Sequence, residues 1–228
     1  MWSGRKRPSQ GTTLERLIAL DCFDSPLGYM TEADWRAYQA TFAKRAGIAS
    51  GDSIFEVGCG GGAFLYPFYE QGHVVSGIDY SDDLIGIARS SMPERRDFLN
   101  AMEAASYPAE PLTDVVIANH VIHYFGSLEY AEGVITTMLK KAKMAAAVSG
   151  VPNVELKADS ERERRGLLTP AEYEAKYRDL EILYYDKKWF TTIATQNGFA
   201  AEFLDHQMPG FAQNRFRFDC VMTRTAAS

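Results

Sequence analysis

No apolar run in this 228-residue sequence reaches the roughly 18 residues that a membrane-spanning helix needs, so no membrane partner is expected. Basic charge is also in short supply. Lys and Arg number 24 against 30 Asp and Glu, and the net charge of −6 offers a polyanion no general attraction, which disfavours nucleic acid as a partner. Cysteine is rarer still. Cys22, Cys59 and Cys220 lie far apart and form no C-x-x-C pair, which argues against a redox motif or zinc knuckle and fits reduced thiols in the cytoplasm. Of the four histidines, His120 and His123 make an H-x-x-H pair, but no third ligand is evident and no metal is expected. The opening stretch "MWSGRKRPSQG" has basic residues with no apolar segment behind them, so it is not read as a secretion signal. Residues 1–12 are expected to form a disordered tail, a basic targeting patch being the other reading.

What is present is an ordinary folded composition, 46% hydrophobic and 24% charged, over a length that suits one α/β domain (13–228) with an insertion. Thr31 followed by Glu32 and Asp34 marks a helix start within an N-terminal helical cap, 13–48. "DSIFEV", "HVVSGIDY", Arg95 to Leu99, "DVVIAN" and "KMAAAVSGV" read as strands that alternate with helices. This alternation predicts a parallel, doubly wound sheet. The period breaks over 153–182, where Thr169, Pro170 and Glu172 form a capping box within a charge-rich helical insertion; it either lids a pocket or is a solvated elaboration. "AAEFLDHQ" and "RFRFDCVMT" then read as the final strand pair.

Gly58, Gly60 and Gly62 follow the first strand and open a helix, where bare backbone N–H groups can meet a ligand. Alone, G-x-G-x-G is weak, since a structural turn looks similar and G-x-G-x-x-A passes as a dinucleotide fingerprint. Asp79 ends the second strand, where a carboxylate can accept both hydroxyls of a ribose. Glu56, two residues before the first glycine, would repel a pyrophosphate but suit a cationic ligand; its other reading is a bond to nearby backbone.

"EVGCGGG", "GIDYS", "NAMEAASYP" and "DVVIANHVIHYF", in this order and spacing, resemble the class I S-adenosylmethionine-dependent methyltransferases, over residues 50 to 150. The resemblance implies a Rossmann-like, seven-stranded, mostly parallel sheet with an antiparallel last strand and a helical lid insertion. It implies S-adenosylmethionine as cofactor, its methionine end and ribose edge on Gly58, Gly60 and Gly62 and its ribose on Asp79. Tyr80 would lie against adenine, with the Ala101 backbone beside it, and Asn119 would face the methionyl group. Asn100 stands where the family commonly has an acid, and its amide oxygen can still accept from the adenine amino group. A nicotinamide dinucleotide is the rival cofactor. "YYDKK" supplies Tyr184 and Lys188 at the Y-x-x-x-K spacing of short-chain dehydrogenases, but that family's glycine pattern is absent.

Methyl transfer from a sulfonium needs placement and exclusion of water more than a fixed catalytic group. His120 and His123 follow the fourth strand, where either could take a proton from an acceptor or simply pack. Tyr184 and Tyr185 cannot both face a ligand if they lie on a strand, so one is core. Asn119, His120, His123 and Tyr185 are the catalytic candidates; Tyr29, Tyr184 and Arg215 are candidates for meeting substrate or forming a lid. Arg215 and Arg217 alternate with Phe216 and Phe218, with solvent exposure the default for both and Arg215 the one placed to reach a substrate anion. The expected reaction is methylation of an oxygen or nitrogen on a small molecule. Two alternatives stay open: a non-methylating reaction at the sulfonium (aminocarboxypropyl transfer, or cyclisation to azetidine-2-carboxylate with release of methylthioadenosine), and a non-catalytic nucleoside-binding module.

Overall fold

The computed structural model describes residues 12–21, 30–178 and 180–226. Two short helices lead the chain, α1 (Thr13–Leu20) and α2 (Glu32–Arg45). Each begins at a threonine whose hydroxyl accepts from the N3 backbone while the N3 carboxylate accepts from the threonine N–H, so two otherwise orphaned donors are satisfied at each start. The parallel core follows: β1 (Ser53–Val57), α3 (Tyr66–Glu70), β2 (Val74–Asp79), α4 (Asp82–Ser91), β3 (Leu99–Ala101), β4 (Thr113–Asn119), α5 (Leu128–Lys141) and β5 (Ala142–Pro152). The insertion holds α6 (Lys157–Gly166) and α7 (Pro170–Tyr177), and the chain closes with α8 (Lys187–Gln196), β6 (Phe199–Asp205) and β7 (Arg217–Arg224).

One seven-stranded sheet results, in the order β3-β2-β1-β4-β5-β7-β6. β7 runs antiparallel between β5 and β6; the pairs among β1 to β5 are parallel. Apolar side chains cover both faces, as parallel strands require. Trp35, Tyr38 and Phe42 of α2 pack with Phe64 and Phe68 on one face, while Val134, Ile135 and Met138 of α5 and Phe190 of α8 fill the other. The order reverses between β1 and β4, so a crevice opens at their carboxyl ends, the place where open α/β sheets bind ligands. Because β7 is antiparallel, its first residues, not its last, lie at that edge: Arg217 pairs with Pro152 at the end of β5.

Three local expectations are corrected. The helix after β1 is only five residues long, because turns run through Leu65 before Pro67 falls at the helix start, where its missing N–H costs nothing. Pro93–Phe98 forms a 3-10 turn, so the third strand begins at Leu99, four residues later than expected from Arg95. A second 3-10 turn, Asn214–Phe216, takes Arg215 out of the last strand. Among the described residues, no helix is long and apolar enough to cross a membrane.

Candidate active site

The turn after β1 has its backbone donors aimed at specific acceptors. Gly58 and Cys59 donate to the Ile78 carbonyl (2.8 and 2.9 Å), and Gly60 donates to Asp79 Oδ2 (3.0 Å). Gly61 and Ala63 donate to the two oxygens of Asp21 (2.9 and 3.2 Å). Gly60 has a φ of 53°, and a Cβ there would lie 2.6 Å from Asp21 Oδ1, so glycine is needed both for the dihedral and for the approach of the carboxylate. Asp79 also accepts from Ser81 N (2.9 Å), which ties the end of β2 to the turn. Its burial raises the carboxyl pKa, while the bonds from Ser81 and Gly60 oppose that rise.

Glu56 lies behind the same turn, 2% exposed, and its Oε2 has no hydrogen-bond partner. Burial first, then the neighbouring Asp21 and Asp79, pushes its carboxyl well above the usual range. Three carboxylates thus converge on one glycine turn. A pyrophosphate, which such turns hold in dinucleotide enzymes, would meet repulsion here, whereas a ligand carrying an ammonium and a sulfonium would supply what Glu56 lacks. The donor set therefore fits S-adenosylmethionine: Glu56 at the cationic end, the glycine turn beside it, and Asp79 with lone pairs left for a ribose diol.

The adenine candidates lie next to Asp79. Ala101 pairs with Asp79 in the sheet register and Asn100 with Ile78; Tyr80 is 58% exposed. Asn100 Oδ1 accepts from Arg89 Nη2 at 3.4 Å, a partner that holds the amide in place at the edge of the sheet. Replacing Asp79 with alanine leaves the Gly60 and Ser81 N–H groups without partners and would remove the acceptor expected for the ribose. A loss of about 10- to 100-fold in S-adenosylmethionine affinity is expected by titration calorimetry, and unchanged affinity would refute the nucleoside assignment.

At the end of β4, Asn119 Oδ1 accepts from the Tyr38 hydroxyl (2.8 Å), which also bonds Ser149 Oγ. Burial raises the Tyr38 phenol well above its usual range, so it acts as a neutral donor. His120 has a φ of 53°, in the left-handed region where few side chains are found. Its Nε2 is 3.0 Å from His206 Nε2, and His206 Nδ1 is 2.7 Å from Asp219 Oδ1. Asp219 also accepts from Gly150 N (2.9 Å) and pairs with Arg45 (3.4 Å). A Cβ on Gly150 would fall 2.6 Å from the His120 ring, so the glycine makes room for the imidazole against β5. Burial, reinforced by His206, Arg217 and His123, lowers the His120 pKa well below its usual value, and the ring is neutral. His123 is held neutral in the same way by burial, Arg217 and Arg164.

The tautomers follow from the acceptors. Asp219 accepts from His206 Nδ1, and a neutral His206 has its lone pair at Nε2. With that tautomer His120 donates from Nε2 and keeps its own lone pair on Nδ1. Among the described residues, no group of three His, Cys, Asp or Glu could hold a metal.

Several expected site residues sit elsewhere. Tyr185 is 1% exposed, stacked against Trp189 and Phe190, and donates to the Ile122 carbonyl (2.7 Å), so it belongs to the core and is not a catalytic group. Tyr184 bonds Arg164 of α6. Arg215 pairs with Glu163 of α6 at the surface, its side chain 71% exposed. Arg217, expected in solvent, is partly buried and donates to Gly150 O and His123 Nδ1 (3.3 Å). Tyr29 lies outside the described residues. The sequence reading missed Asp21, Tyr38, Ser149, His206, Asp219, Arg164 and Arg217. A signal existed for Asp219, a carboxylate inside the apolar run "FDCVM"; none marked the others.

A methyltransferase-domain family model matches residues 30–202. No curated protein matches the sequence. Among solved structures, the magnesium protoporphyrin IX methyltransferase ChlM of Synechocystis, solved with bound S-adenosylhomocysteine, is similar at 19% identity and a TM-score of 0.59, covering 87% of this chain and 90% of that one. DesVI of Streptomyces venezuelae is similar at 14% identity and a TM-score of 0.64, covering 85% and 93%. The N-methyltransferase NodS of Bradyrhizobium japonicum is similar at 16% identity and a TM-score of 0.59, covering 86% and 100%. At these identities the structures speak for the fold, while the family model spans most of the chain. With the glycine turn, Glu56 and Asp79 arranged as described, the chain belongs to the class I S-adenosylmethionine-dependent methyltransferases, and S-adenosylmethionine is its cofactor.

Proposed function

We propose that this chain methylates an oxygen or nitrogen of a small molecule, with His120 as the base. S-adenosylmethionine supplies an electrophilic methyl group on a sulfonium. Glu56 and the glycine turn hold the cationic end of the cofactor, Asp79 anchors the ribose, and Tyr38 fixes the Asn119 amide at the edge where the methionyl end would lie. The single observation that carries the reading is the chain of His120, His206 and Asp219, which holds a neutral imidazole next to Asn119. His120 takes the proton of an acceptor O–H or N–H as the new bond forms, and the buried surroundings exclude water that would compete. The names of ChlM and NodS, one a porphyrin methyltransferase and the other an N-methyltransferase, support a small-molecule acceptor.

Product analysis tests the reaction. Purified protein is incubated with S-adenosylmethionine and a panel of small O–H and N–H acceptors, and the nucleoside product is identified by mass spectrometry. S-adenosylhomocysteine formed only with an acceptor is the expected result. Methylthioadenosine formed without an acceptor would overturn methylation and assign the site to cyclisation of the cofactor.

A further inference from the structure

Two guanidinium groups meet beside His123 with no acid among the described residues paired to either. Arg164 of α6 is 5% exposed; its Nη2 donates to the Tyr184 hydroxyl, and its Nε has no hydrogen-bond partner. Arg217 comes from the opposite direction, at the start of β7, and spends its Nη1 on the Gly150 carbonyl and His123 Nδ1. Arg164 is close enough to disfavour the charge on Arg217, and both act on His123. Lys157 adds a third cation, 5.3 Å from the centre of the Tyr184 ring. Among the described residues, no carboxylate lies within ion-pair distance of Arg164 or Arg217. Aromatic rings surround the pair: Tyr177 lies 5.2 Å from the Arg164 guanidinium carbon and Phe211 5.3 Å from that of Arg217.

Burying a cation without a partner is costly, and a structural arginine is normally paired or left in water. Here two converge, one with an unsatisfied N–H, so a missing anion is the economical explanation. We infer that Arg164 and Arg217 form an oxyanion subsite that binds a carboxylate or phosphate of the acceptor and so places its nucleophile at His120. The inference rests on the methyl-transfer reading of the site. Its location suits that task, because the His123 ring touched by Arg217 is centred 6.5 Å from the His120 ring, and the Gly150 whose carbonyl Arg217 holds packs against His120. The fork of each guanidinium matches the paired oxygens of a carboxylate or phosphate, which a point charge would not. The role that the sequence alone suggested for Arg215 thus passes to its neighbour two positions on. Burial pushes the Arg217 pKa down to about 10, which still leaves the group charged at neutral pH and available for an anion.

The subsite is tested by equilibrium binding, separately from turnover. The full chain is saturated with S-adenosylhomocysteine and titrated with benzoate, phenyl phosphate and neutral benzamide. Binding of benzoate or phenyl phosphate at least tenfold tighter than benzamide is expected, and the tighter of the two identifies the oxyanion. Arg164→Gln and Arg217→Gln should each remove that preference, leave S-adenosylhomocysteine affinity within about twofold, and raise the unfolding midpoint of the free protein, since each removes a cation without a counter-charge. If Arg217→Gln fails to fold, Arg164→Gln decides alone. Equal binding of all three probes, or anion binding that survives both substitutions, would overturn the subsite. A parallel loss of S-adenosylhomocysteine affinity would also overturn it, assigning the arginines to the cofactor's own carboxylate. Methylthioadenosine formation without an acceptor bears on the reaction and leaves this binding result readable by itself.

Discussion

His120→Gln is expected to lower kcat by about 10²- to 10⁴-fold, the range over which a positioned general base acts, with cofactor affinity unchanged. Asp219 accepts from His206 Nδ1 (2.7 Å), and a neutral His206 accepts in turn from His120 Nε2, 3.0 Å away, which places the His120 lone pair on Nδ1. Its base lone pair is therefore fixed by a residue that does not touch the substrate. His206→Phe keeps a ring that packs edge-on against Tyr38 but removes the acceptor, so the His120 tautomer is released and kcat falls although the catalytic group is intact. Asp219→Asn is milder. Its amide oxygen can retain the bonds from His206 and Gly150, so that end of the relay survives while the charge and the contact with Arg45 are lost.

The pH profile separates positioning from packing. Burial lowers the His120 pKa well below its usual value, so the base is already unprotonated at neutral pH. Acceptor methylation should lose rate on the acid side only below the ordinary histidine range of about 6.5. His206→Phe removes one of the neighbours that lower this pKa, so the acid limb should move toward neutral pH; a profile identical to the parent's, with full kcat, would sink the relay.

The convergence of the glycine turn, Glu56 and Asp79 was legible in the sequence because its signals are local. Three glycines, a carboxylate before them and another at the end of the next strand lie within 24 positions, and strand geometry alone brings them to one edge. The capping threonines were readable for the same reason, since a cap is a four-residue pattern. The acceptor half depends on pairings across the chain. His206 meets His120 over 86 positions, and Arg217 meets His123 over 94. Small local features then decided which of two similar neighbours faced the crevice. A 3-10 turn at Asn214–Phe216 moved Arg215 to the surface and left Arg217 at the strand's start. The alternation of side chains sent Tyr185 inward, away from the catalytic role first given to it, and Tyr184 to Arg164 of the insertion.

Glu56→Gln is expected to stabilise the free protein while weakening S-adenosylmethionine binding about 10- to 100-fold. In the free protein, burial beside Asp21 and Asp79 raises the Glu56 carboxyl pKa well above the ordinary glutamate value, and its Oε2 has no partner. A folded-state pKa raised above the unfolded one gives a contribution to stability that is fully present below the unfolded pKa and is lost as pH rises through the folded pKa. The glutamine cannot ionise, so its advantage in unfolding midpoint should grow as pH is raised across that window and vanish at acid pH. Cofactor binding has the opposite dependence. The cationic end of S-adenosylmethionine favours the ionised carboxylate, so binding to the parent releases a proton and tightens as pH rises, up to the folded pKa. Calorimetry in two buffers of different ionisation enthalpy reads this proton directly. The substituted protein should bind more weakly, release no proton and show a flat pH dependence; affinity and proton release equal to the parent's would remove Glu56 from the cofactor site and with it the reason that this glycine turn prefers a cation to a pyrophosphate.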